Sequence, residues 1–119
     1  MLEGVRILLV EEEFLVALDM QDILREAGVA EVETCRTTVE AMRLSERLGE
    51  YHLAIIEAQL GSPTAVEFAR RLRAAGVAVV VSSADRTLSH LFPHAGMLEK
   101  PFDAAALLLA CRAARESVS

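Results

Sequence analysis

The stretch LAIIEAQLG, residues 53–61, is an apolar run that ends on a single acid, Glu57, just before the chain turns. A short, continuously apolar run bounded by turn residues reads as a strand buried on both faces, as at the centre of a parallel sheet. Two further runs share this character, VRILLV at 5–10 and VAVVV at 77–81, while EVETC at 31–35 and GMLE at 96–99 are weaker and suit sheet edges. Helical periodicity fills the intervals. The first helix places Val16, Met20, Ile23, Leu24 and Ala27 on one face and stops at Gly28. The second opens on a Thr37/Glu40 capping-box pattern, carries Ala41, Leu44, Ser45 and Leu48, and closes at Gly49. The third runs from about Thr64 to Ala75, with Pro63 at its mouth, Phe68 and Leu72 inward, and Gly76 behind it. SSADRTLSHLFPHAG, with its proline, predicts a short or irregular fourth helix, and the last begins at an Asp103 N-cap with Leu107, Leu108, Cys111 and Ala114 on its stripe.

Strict alternation of strand and helix predicts an α/β, doubly wound, flavodoxin-like (βα)5 three-layer sandwich, because parallel strands need long right-handed crossovers. With the apolar strands central, the sheet order is 2-1-3-4-5, and the chain, 1–119, forms one domain. Ligand sites in such sheets lie beyond the carboxyl ends of the strands, where the winding reverses between strands 1 and 3. The acids of this sequence collect there: Glu11, Glu12 and Glu13 follow strand 1 and Glu57 closes strand 3. Ser82 and Ser83 follow strand 4, and Lys100 follows strand 5 in EKPFD.

Composition narrows the function. The chain is 53% apolar and 25% charged, with 18 acids against 12 bases, so protein partners are expected rather than nucleic acid or an anionic membrane. The N-terminal MLEGVRILLVEEE is too short and too acidic for a signal peptide, and no run approaches the ~20 apolar residues of a membrane span, so a soluble, cytoplasmic protein is expected. Cys35 and Cys111 lack metal-ligand spacing and read as reduced thiols. The three histidines share no such spacing, no histidine–acid set accompanies Ser82 and Ser83, and no glycine-rich phosphate loop follows strand 1.

The ordered set ILLVEEE, Glu57 with QLG behind it, VVVSSA and GMLEKPFD resembles the receiver domain of bacterial two-component response regulators, chemotaxis receivers included, over essentially the whole chain. The resemblance implies a phosphorelay signalling module rather than an enzyme, with a sensor histidine kinase or another signalling protein as partner. It puts Glu57 at the phosphoacceptor position, Glu11 and Glu12 as the Mg²⁺ acids with the Gln59 backbone carbonyl beside them, Ser83 as the hydroxyl for a phosphoryl oxygen and Lys100 as the balancing cation. It also implies a cis Lys100–Pro101 bond. A homodimer through the fourth helix, fifth strand and last helix is a further expectation, and Ala105, Leu109 and Ala113 form an apolar strip off the buried face of that last helix.

Three residues depart from the family pattern. The acceptor and the second acid after strand 1 are ordinarily aspartate, and here both are glutamate. Each extra methylene moves its carboxylate by about 1.5 Å, enough to predict poor phosphorylation and weak or absent Mg²⁺ binding, since Mg²⁺ demands near-octahedral oxygens. The longer arm at Glu57 can instead carry its charge to Lys100 and Ser83, biasing the domain toward its signalling-on state. The third departure is Met97, which stands where the family places an aromatic switch residue. Two alternatives stay open: a Mg²⁺-dependent phosphoacceptor that tolerates glutamate, and a flavodoxin-like small-ligand binder.

Overall fold

The computed structural model describes residues 2–58 and 62–118. Five strands, β1 (Arg6–Val10), β2 (Glu31–Cys35), β3 (Leu53–Glu57), β4 (Ala78–Ser83) and β5 (Gly96–Glu99), form one parallel sheet in the order β2-β1-β3-β4-β5. Both the parallel pairing and the order are those expected from the apolar runs. The central strands are buried on both faces, and alternation along each divides two cores. Ile7, Leu9, Leu53, Ile55, Ala78 and Val80 pack under helices α1 (Phe14–Glu26) and α4 (Ala104–Val118). Leu8, Val10, Ala54, Ile56, Val79 and Val81 pack under α2 (Thr38–Ala41) and α3 (Pro63–Ala74). Cys35 lies in one core and Cys111 in the other, both free, and burial raises their thiols to about 11 and about 12.

The second crossover departs from the expected single helix. Only Thr38–Ala41 is α-helical, and Met42–Glu50 continues as a 3-10 helix. Its start follows the capping-box pattern: Glu40 N–H donates to Thr37 Oγ1 at 3.1 Å, and Arg36 N–H donates to Glu40 Oε2 at 3.2 Å. Its end is pinned to β2, where the buried Tyr51 hydroxyl donates to Glu33. Thr37→Ala is expected to cost about 1 kcal/mol, the usual loss of an N-cap, read as a lower denaturant midpoint with an unchanged slope.

The fourth crossover is short, as its weak pattern and proline suggest: a six-residue 3-10 helix, Arg86–Leu91, capped by Asp85, which accepts from Thr87 N–H at 2.9 Å. α4 starts from Asp103, whose Oδ1 accepts from Ala106 N–H at 2.8 Å. Among the described residues no helix is long and apolar enough to cross a membrane.

Candidate functional site

Strand register decides which acids meet. β1 and β3 pair Leu9 with Ile55 and Val10 with Ile56, so one step further Glu11 stands beside Glu57. The period of two turns both side chains to the face that holds Ile7, Leu9, Leu53 and Ile55. Glu11 N–H donates to Cys35 O at 3.0 Å, which extends the strand through the acid and drives it into the interior, 1% exposed. Glu12, next along, points the other way. It is exposed and lines, with Glu57, Arg36 and Thr64, a separate cleft of about 210 Å³.

Neighbouring strands lie about 4.8 Å apart, so two carboxylates side by side in low dielectric need a cation. Lys100 supplies it. β4 pairs Ser83 with Glu99, and Lys100 N–H donates to Ser83 O at 2.9 Å, which sets the lysine one strand beyond Glu57. Its long arm crosses the end of β4, and the Lys100–Pro101 bond at its base is cis, as the resemblance implies. Lys100 Nζ donates to Glu57 Oε2 and lies 2.8 Å from Glu11 Oε1. The second contact is an ion pair at an angle that makes no hydrogen bond, leaving Glu11 Oε1 the buried side-chain oxygen without one among the described residues. Glu11 Oε2 accepts from Glu13 N–H at 3.0 Å, at the start of α1.

Electrostatics follow from this arrangement. Burial first, and the neighbouring Glu57 carboxyl second, push Glu11 above the ordinary carboxylate range, with Lys100 and the Glu13 N–H opposing them. For Lys100, burial alone would lower the ammonium, but the two carboxyls of Glu11 and Glu57 against it outweigh that and hold it above its usual value. Two acids share one base, so a single ammonium serves both carboxyls.

Of the predicted site residues, the structure brings together Glu11, Glu57 and Lys100. Ser83 is buried nearby, and its hydroxyl accepts from Asp85 N–H at 3.0 Å in the turn that starts the 3-10 helix. A serine hydroxyl that accepts from the N–H two residues on is a local turn former, the ordinary alternative to a ligand role for this residue. Gln59 lies outside the described residues. An ammonium sits between the two inward carboxylates, Glu12 lies in the cleft that Glu57 also lines, and among the described residues no three His, Cys, Asp or Glu side chains are placed to hold a metal. Beside Lys100 a cleft of about 500 Å³ opens between Leu15 and Val16 of α1 and Pro101 and Phe102. The first turns of α1 expose Phe14, Leu15 and Leu18 next to it, Leu15 by 77%.

The architecture has solved counterparts. A response regulator receiver protein from Sinorhizobium medicae superposes with a TM-score of 0.84 at 24% identity, covering 100% of both chains. The fold is that of receiver domains. The receiver fold is met again in a Vibrio cholerae chemotaxis protein, CheY4, with a TM-score of 0.77 at 19% identity over 92% of this chain and 98% of that one. A third example is the receiver domain of an Arabidopsis thaliana histidine kinase, solved with Mg²⁺ and BeF₃⁻, with a TM-score of 0.74 at 22% identity over 97% of this chain and 92% of that one. By sequence, no family model and no curated protein matches.

Proposed function

We propose that this chain is an atypical receiver of two-component phosphorelay signalling, in which the Glu57–Lys100 contact stands in for a phosphoryl–lysine contact. The observation that carries the reading is the engagement of Lys100 by two carboxylates at once. The receiver fold over the whole length of the chain supports it. A phosphoryl group entering here would have to displace Glu57 from its cation while facing a second buried carboxylate, so the balanced pair disfavours transfer.

Output then runs through protein contacts rather than catalysis, in the cytoplasm and without direct binding of nucleic acid. The exposed Phe14, Leu15 and Leu18 beside the cleft suit a sensor kinase or another signalling protein, since contiguous exposed apolar side chains mark interaction surfaces. A second copy would dock on the face made by the Arg86–Leu91 helix, β5 and α4, where Leu109 is 67% exposed.

The test is intact-mass measurement after incubation with Mg²⁺ and a small phosphodonor. An unchanged mass is expected, and stoichiometric phosphate on Glu57 defeats the reading. That second outcome would favour a Mg²⁺-dependent phosphoacceptor, a reading to which the Mg²⁺ and BeF₃⁻ complex of the Arabidopsis neighbour lends support.

A further inference from the structure

The helical cover over the β4 side of the sheet is incomplete. α1, α3 and α4 have 13, 12 and 15 residues, whereas the link from β4 to β5 forms only six residues of 3-10 helix. At about 2.0 Å per residue that segment cannot run the length of the strands it should cover. Below it, at the end of β4 remote from Ser83, lies a cavity of about 150 Å³ walled by Ala69 of α3, by Val77 and Val79, and by Leu91 and Phe92. The walls are apolar, and Val77, Val79 and Phe92 are buried members of the core.

The rim is different. Arg70, Arg73 and His94 stand at the mouth, all exposed. Arg70 shares Glu67 at 3.5 Å in a solvent-exposed pair, while Arg73 has no ion-pair partner among the described residues. His94 is held at φ 75, a left-handed conformation that residues other than glycine seldom adopt and that is often retained at ligand sites. An apolar-walled cavity of about 150 Å³ that opens at this rim is large enough for a benzene-sized body, and a cationic rim selects a negative head.

We propose that this cavity binds a small monocarboxylate with an aromatic or short aliphatic body, the body against Val77, Val79 and Phe92 and the carboxylate on Arg73. The site is independent of the reading of Glu57 and Lys100. The segment that forms its wall at Leu91 and Phe92 begins at the Asp85 cap tied to Ser83, so one element borders both regions.

Titration of the full chain with benzoate and with hexanoate, followed by ¹H–¹⁵N chemical shifts, tests this. Saturable shifts at Ala69, Val77, Val79 and His94 are expected, with the tighter of the two acids identifying the body that fits. Arg73→Gln, on the surface, should weaken binding about 10-fold, the loss of one charge-assisted hydrogen bond. Ala69→Leu should abolish binding by filling the space, and Arg73→Gln keeps the test decisive if that variant folds poorly. Shifts that never saturate, that survive Arg73→Gln undiminished, or that benzylamine or benzyl alcohol reproduce equally would overturn the proposal.

Discussion

Lys100→Met is expected to cost about 3 kcal/mol of stability at pH 7. Methionine keeps most of the apolar stem and removes the charge, so the loss measures what the ammonium does for Glu11 and Glu57. Truncating one partner of a buried ion cluster leaves the other charges uncompensated, at about 3–5 kcal/mol, and the 20% exposure of the lysine side chain places this case at the lower end. The pH dependence identifies the cause. Glu11 already binds its proton more tightly in the folded chain than in the unfolded one, and without Lys100 that preference grows. A raised carboxylate stabilises below its unfolded value of 4.5 and loses that contribution as pH rises toward its folded value, so the deficit of the variant should shrink from pH 7 toward pH 5. At the alkaline end the wild type loses its advantage instead. The raised Lys100 contributes fully below its unfolded value of 10.5, and that contribution disappears as pH climbs through the folded one. Urea midpoints across pH 5–12 give both limbs. A deficit constant with pH would mean that Lys100 matters through packing alone.

The sequence made the sheet readable because burial on both faces leaves a signal that periodicity cannot hide. VRILLV and VAVVV admit no amphipathic helix, so the central positions of β1 and β4 follow from composition alone. The second crossover was less legible for a geometric reason. Ala41, Leu44 and Leu48 stand three and four apart, a spacing that a 3-10 turn satisfies as well as a 3.6 repeat, and the sequence has no preference strong enough to separate them.

At the site, the strand-end rule locates the acids but cannot rank them. Glu11 and Glu12 are chemically identical neighbours, and only the Val10–Ile56 register buries the first beside Glu57 and leaves the second exposed in the neighbouring cleft. The 150 Å³ cavity had no sequence signal, because it arises from what a short crossover fails to cover. Val77 and Val79 read only as part of the VAVVV strand.

Glu57→Asp separates the two roles open to position 57. The shorter side chain withdraws its carboxylate by about 1.5 Å, which breaks the hydrogen bond to Lys100 Nζ and leaves the lysine to Glu11 alone. A charged hydrogen bond of this kind contributes about 1.5–3 kcal/mol, partly offset here by relief of the carboxylate–carboxylate contact, so a fall in melting temperature is expected. Chemistry should move the other way. If the glutamate arm is what misplaces the acceptor oxygen, correcting it by about one bond length should raise the rate of labelling by a small phosphodonor on the order of 10²-fold, the sensitivity of positioned reactions to an ångström. Mass spectra taken over time on both proteins, under identical Mg²⁺ and donor, compare the rates directly. Equal rates in wild type and variant would mean that arm length does not set reactivity, and the ion pair would lose its place as the reason for silence at position 57. A faster, less stable aspartate variant would show that the same methylene that closes the pair also closes the chemistry.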